Sequence, residues 1–600
     1  EISACLVGSE MCIRDRLRRL KMKKHGIKIV SVILALTMVF SGFSIVGASA
    51  ADAGTTLKNA GVGILGGIVK GLLSAINFVV PDNKNFVKMD DYKNDYFYSG
   101  TETMLDEPAA NAVWSLGYAK ASLVPTDWQS KTYYLGGFMS MQNGMSNKVE
   151  EVIDDMQARV IAVSDGSGRG VTIFANIDSI GFANGDIKTI RKYLQEMDLG
   201  VKINSVNVSS THCHSCIDTQ GLWTNTFSKL GKNMIKAYLP FTEMESGVDA
   251  DYIEFLCRTV AAAMKTAIAD MKEGTMTYAV KTLDAGYFNN KNRKSATAHM
   301  SDMTRFIFTP FDKSARPTML VNIAAHPDIA GLAVNKVDNG RQLSGDYVYY
   351  MGDTIENAGY NFMFVNGAIA GIYAGRGLTN DGVSLERRYQ QSERYGREMG
   401  NIALNLTNSY DAIASRADWD TINKEMAEGG EGYTLWFEGW TPTTERELKP
   451  LLNIYITTAM VQVTNPLILL VGKLNLANYA VIKDHHKYYI NTEIGYMEMG
   501  DVKVALMPGE IVQDLVAGGA SLTADGSFSG KDFGYKTIRE LFGEDTICFG
   551  LMNDAIGYVV PDNDYSLGIV DDHYQELISL GNVTASSIMK GFAEIAEKVN

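Results

Sequence analysis

Cysteine is scarce in this chain of 600 residues, with six in all and only Cys213, Cys216, Cys257 and Cys548 beyond residue 50. Four thiols cannot build a disulfide scaffold of this size, so stability has to come from a buried core. Basic charge is also in short supply: 55 Lys and Arg stand against 69 Asp and Glu, a formal charge of −14. Nucleic acid must be neutralised by Lys and Arg, so such a partner is excluded as a main function. A hydrophobic content of 46% suffices for one large catalytic domain or two domains.

The first residues do not read as folded protein. Residues 1–21, including Cys5 to Arg16, resemble translated sequencing-adapter read-through. From Met22 the pattern is that of a signal peptide: Lys23, Lys24 and Lys28, an apolar run Ile29 to Val46, then Ala48-Ser49-Ala50. Cleavage is expected after Ala50, which makes the protein secreted or cell-surface. Residues 1–50 hold eight Lys and Arg and three Asp and Glu, so their removal takes the formal charge to −19. Residues 51–100 read as an N-terminal helical and linker segment, and 101–600 as the catalytic domain. Within the former, Gly61 to Val80 is either a helix packed on the domain or a segment touching lipid; its weak polar face favours packing. A peripheral membrane contact stays open.

Farther on, strand and helix patterns alternate, which favours an α/β fold of mixed sheets flanked by helices. Ala158–Asp165 and Gly170–Asp178 read as a hairpin turned at Gly166-Ser167-Gly168-Arg169, Ile187–Met197 and Asp251–Lys272 as helices, and Val201–Val208 as a strand. Leu451–Gly472 has no charged side chain up to Gly472 and approaches the length of a membrane span. Asn453, Gln462, Asn465 and Pro466 argue instead for buried strands or helix. Gly429 to Trp440 reads as an aromatic loop above that region.

The stretch with most chemistry is Ser209-Ser210-Thr211-His212-Cys213-His214-Ser215-Cys216. On an extended backbone residues two apart project to one face, so both histidines can enter one site just past a strand end. The C-x-x-C pair could be redox-active, ligate metal or form a local disulfide. Further predicted strands end in His326-Pro327, Asn366-Gly367, Pro508-Gly509-Glu510, and Asn553-Asp554 followed by Gly557-Tyr558. Loops converge beyond the carboxyl ends of strands in α/β sheets, so one site could collect these groups. Two histidines and a carboxylate would suit zinc. His485-His486 reads as a solvated turn, and His299 and His573 as locally hydrogen-bonded.

Taken together the motifs resemble the neutral (non-lysosomal) ceramidase family, zinc amidases that cleave the N-acyl bond of ceramide. Thr211-His212-Cys213-His214-Ser215 is similar to that family's T-H-T-H-S-G-P, and Gln157 to Asp178 to its strand pair before the motif. Asn292-Arg293-Lys294-Ser295 resembles N-R-S, Ala325-His326-Pro327 the H-P, and Ser344-Gly345-Asp346 the S-x-D. Pro508-Gly509-Glu510 matches P-G-E, Asn553 to Tyr558 matches N-x-x-x-x-Y, and Tyr574-Gln575 the Y-E that follows. The resemblance implies a ceramidase-like catalytic domain with Zn2+ held by His212, His326, Glu510 and Tyr558. It further implies His214 as general acid and base, Arg293 as a substrate contact, Tyr574 as a donor to the developing oxyanion, and an amphiphilic lipid substrate.

The departures are specific. Where the family's N-x-G-D-V-S-P carries a serine, this chain reads Asn366-Gly367-Ala368-Ile369-Ala370, then Gly371-Ile372-Tyr373-Ala374. Cys213 and Cys216 replace Thr and Gly. The family's C-terminal β-sandwich is not expected before Asn600. A zinc hydrolase of another amide or ester, or an inactive lipid- or glycan-binding relative, are the competing readings.

Overall fold

A computed structural model describes residues 55–137, 147–239, 241–292, 300–330, 334–335, 340–375, 388–419, 421, 440–567 and 574–599. The expected signal peptide, Arg293, His299, His573 and most of the Gly429–Trp440 loop lie outside these residues.

The dominant element is a nine-stranded mixed sheet. Its path runs β8 (Asn361–Asn366), β7 (Thr318–Ile323), β6 (Asp302–Pro310), β5 (Lys272–Thr282), β1 (Trp114–Ser122), β2 (Gln157–Ser164), β3 (Val171–Ile177) and β4 (Ile203–Ser210), with Arg446–Leu448 beside β5. The predicted hairpin is β2–β3, antiparallel in register from Ala158↔Ile177 to Val163↔Thr172. β3–β4 and β7–β8 are parallel pairs at the two ends of the sheet. Both faces of β2, β3 and β7 are buried, which is why their sequences run apolar almost without alternation.

Side chains alternate between two cores. Ala158, Val160 and Ala162 face helices α2 (Asn184–Gln195) and α4 (Ala250–Ala269). Met319, Val321, Phe362 and Phe364 face α5 (Asp346–Asn357) and α6 (Arg388–Asn405). Ile161, Val163, Phe174, Met363 and Val365 point the other way, into a core shared with the second sheet. That six-stranded sheet holds β10 (Leu452–Gln462), β11 (Lys487–Met499), β12 (Val502–Leu506) and β14 (Ile547–Phe549). Its far face is covered by α9 (Thr584–Val599). The result is a four-layer helix–sheet–sheet–helix stack. The second predicted helix ends at Ala269, because Lys272 already begins β5.

The charge-poor stretch resolves into β10, then Asn465, whose side chain accepts from Leu467 N and caps α7 (Pro466–Lys473). Residues 55–79 form α1 (Thr55–Val79), packed on α7 through Val69, Leu73, Ile76 and Val80, so the packed-helix expectation holds for one of its faces. Among the described residues no helix is long and apolar enough to cross a membrane. The long sheet is curled, bringing β8 at one end against β3 and β4 at the other. This curl carries two distant strand ends to one place.

Candidate metal centre

His212 follows β4 and His326 follows β7. Asn366, at the end of β8, donates to the Thr211 carbonyl and ties the two ends of the sheet together. The second sheet joins from the side: Asn553 N donates to Val208 O at 2.7 Å, and Val208 N to Asn553 Oδ1 at 3.0 Å. Short strands β13 (Glu510–Ile511) and β15 (Tyr558–Val559) are parallel, with Glu510 opposite Tyr558. His212, His326, Glu510 and Tyr558 therefore meet, each brought by a different strand end.

The two histidines of the loop converge by a route other than strand alternation. His212 has φ +63°, a left-handed conformation that turns the chain immediately after β4. Its ring lies 4.8 Å from that of His214, nearly perpendicular, and 4.7 Å from that of His326. Left-handed backbone is uncommon for a residue with a Cβ and concentrates at functional sites, where surrounding contacts hold it. Here His212 Nδ1 lies 2.6 Å from Ile180 O.

The hydrogen bonds fix the tautomers. His326 Nδ1 lies 2.8 Å from Ile372 O. A carbonyl only accepts, so both Nδ1 atoms carry a proton, which leaves Nε2 as the atom each ring turns toward Glu510. His212 Nε2 and His326 Nε2 lie 3.3 and 2.9 Å from the same oxygen, Glu510 Oε2. Two imidazole nitrogens and a carboxylate oxygen thus converge on one buried point, a donor set that a cation would complete. Ligands about 2.0–2.1 Å from a tetrahedral zinc lie about 3.3 Å from each other. His212, His214 and His326 form a buried group that could hold a metal ion. Burial alone would raise the Glu510 carboxyl, but the two imidazoles outweigh it and hold the group well below the usual carboxylate range.

His214 is wholly buried. Desolvation first, then the neighbouring His212 and His326, press its pKa well below that of free imidazole, so the ring is neutral. It sits on Gly137, whose φ is +99° and where an added Cβ would come within 2.5 Å of His214 Nδ1; only glycine fits. Burial and the Glu510 charge keep the Tyr558 hydroxyl protonated, hydrogen-bonded to Glu510. Tyr574 opens α8 (Tyr574–Leu577), is 45% exposed, and has its ring 6.1 Å from that of Tyr558.

Sequence reasoning missed Tyr373. Its ring stacks on His326 at 4.6 Å, Lys291 Nζ lies 4.2 Å from the ring centre, and its backbone bridges that of His326. It belongs to β9 (Ile372–Ala374), and only its place in the altered serine loop could have marked it. Asn292, part of the N-R-S-like motif, donates to Ala370 O and accepts from Gln575, linking that loop to the start of α8. Ala368, Ile369 and Ala370 offer no nucleophile and are buried, Ile369 beside Ala324 and Leu551, Ala370 beside Val512 and Val560.

Cys213 and Cys216 are free, buried thiols, and both donate to Ser344 O rather than joining the imidazoles. Burial raises both thiols. Asp346 accepts from Ala330 N and Ser392 Oγ, bracing the chain just past His326. His485 lies in an exposed turn beside Asp484, as expected.

No family model and no curated protein matches the chain. Solved structures do. The neutral ceramidase of Pseudomonas aeruginosa aligns with a TM-score of 0.50 at 14% identity, over 82% of this chain and 75% of that one. A ceramidase solved in complex with C2 aligns with a TM-score of 0.50 at 12% identity, over 81% and 75%. The fold is ceramidase-like.

Proposed function

We propose that this chain is a secreted zinc-dependent amidohydrolase that cleaves the N-acyl bond of ceramide or a related N-acylated amphiphile. One observation carries the reading: on a ceramidase-like fold, the Glu510 carboxylate is bracketed by the Nε2 atoms of His212 and His326. In this reading His212, His326, Glu510 and Tyr558 hold the ion. When bound, zinc lowers the pKa of a water to about 7 and polarises a carbonyl, giving a nucleophile at neutral pH.

The remaining groups handle protons and charge. His214, buried beside His212 and His326 and held neutral, takes the proton of the attacking water. Returning that proton to the amide nitrogen turns a poor leaving group into an amine. Tyr574 donates to the developing oxyanion and Arg293 contacts the substrate. Ala368, Ile369 and Ala370, apolar and buried, supply no nucleophile.

Purified protein is expected to contain about one zinc per chain and to release fatty acid from ceramide, with both lost in His212→Ala. Absence of bound metal would sink the proposal. The missing serine favours a second reading, hydrolysis of a different amide or ester: ceramide would be inert in a substrate panel and another acyl compound cleaved. Tight lipid binding with no product at any pH would identify a non-catalytic relative.

A further inference from the structure

α1 is apolar on both sides. Its inner stripe, Val69, Leu73, Ile76 and Val80, packs on Leu470, Leu474 and Met234. The opposite stripe, Ile68, Gly71, Leu72, Ala75 and Phe78, follows the same helical spacing and is exposed, Phe78 at 91%. Beside it lies α3 (Thr226–Lys236), docked through Tyr238, whose hydroxyl donates to Val79 O at 2.9 Å. The end of α3 and the turn after it expose Ile235, Leu239 and Phe241, the last at 104%. A helix apolar all round belongs in a core or at a lipid boundary, and large aromatic and aliphatic side chains held in water on two adjoining elements mark an interaction surface.

Charge indicates which surface. Lys70 lies on α1, and Lys229, Lys232 and Lys236 on α3, with Lys84 just beyond α1. Against them stand Glu243, paired with Lys84 at 2.6 Å, and Glu245, 3.5 and 3.2 Å from Lys232 and Lys236. The nearby Asp82 is already held by Lys473 and Lys483. A locally basic rim around exposed apolar side chains, on a chain of net charge −14, suits an anionic bilayer and little else.

We infer that the outer face of α1, with Ile235, Leu239 and Phe241 beside it, docks the protein on an anionic lipid surface, the apolar side chains entering the headgroup boundary and the lysines facing lipid phosphate. The inference does not rest on the hydrolase reading, because binding is read without turnover.

The test is co-sedimentation of the chain from Ala51 onward, which contains every described residue, with vesicles of phosphatidylcholine alone or mixed with phosphatidylglycerol. Binding is expected with the mixed vesicles, weakening as salt rises. Phe78→Glu with Phe241→Glu should lower it at least tenfold at unchanged melting temperature, both side chains being fully in water. A second variant, Lys84→Gln with Lys232→Gln, should weaken binding severalfold on the mixed vesicles only. Absence of binding by the unaltered chain, or equal binding by the Phe78/Phe241 variant, would overturn the inference. So would sedimentation velocity showing a dimer that the same variant dissolves, which would make this face a contact between copies.

Discussion

Two walls of the same pocket behave in opposite ways. One is formed by the ends of β4 and β7 with β13 and β15, and presents imidazole, carboxylate and phenol to a common point. The other, Ala368 to Ala370 after β8, is equally buried but purely apolar and contributes backbone alone, Ala370 O accepting from Asn292. Burial is common to both walls, so burial does not make a residue catalytic here. What separates them is whether a buried polar atom faces another atom of the wrong sign. The Glu510 carboxylate between two imidazole nitrogens is a place for positive charge; the alanine loop offers none.

The largest expected effect tests the polar wall. Glu510→Gln keeps the shape but removes the charge that balances a cation, and hydrolysis and metal retention should each fall at least about 100-fold. Zinc content measured alongside turnover would show whether the two are lost together; retention of both would break the comparison. Next comes Asp554, in the loop that leads to Tyr558. Its Oδ1 accepts from Asn184 N and Ala555 N, and burial pushes the carboxyl up to about 7. A carboxyl raised in the folded state binds more protons folded than unfolded, so its contribution is full below the unfolded pKa of about 4 and is lost as pH rises through about 7. Asp554→Asn should therefore gain about 1–3 kcal/mol of stability at pH 8 over pH 5, read by urea denaturation at both.

Smaller effects test the apolar wall and the far side of the histidine loop. Ala370→Ser restores a hydroxyl to the loop, where burial costs about 1–2 kcal/mol of stability; activity should stay within about threefold, since a serine there has no base to activate it. A gain of ten-fold or more would show that the loop still carries a nucleophile's position. Least of all is expected from the cysteines. With both thiols buried, held protonated and bonded to Ser344 O, thiol alkylation at neutral pH should neither label Cys213 or Cys216 nor change activity.

Much of this was legible in the chain. The hairpin, α2, α4, β7, β8 and β12 follow from periodicity, because strands buried on both faces and amphipathic helices leave strong patterns. The reading of Leu451–Gly472 as buried strands or helix is met by a strand followed by a helix, since Asn465 and Pro466 mark a cap and a first turn. The four groups implied as ligands all occupy strand ends. The convergence of His212 and His214 was reached for a different reason than the one that operates: extended spacing suggested it, while a left-handed His212 produces it. A backbone conformation imposed by distant contacts, here Ile180 O and the strap from Asn366, has no local signature.

Local sequence thus determined which segments become strands and helices and which residue types stand at their ends, because side-chain periodicity and turn chemistry act over a few residues. Only the tertiary structure decided that β4 and β7, on either side of the curled sheet, deliver their histidines to one carboxylate; that Tyr373 stacks on His326; that Cys213 and Cys216 turn away to Ser344; and that α1 has a second apolar face left in water. Each of these depends on how sheets curl and layers stack, a sum of many weak contacts across hundreds of residues that no single stretch encodes.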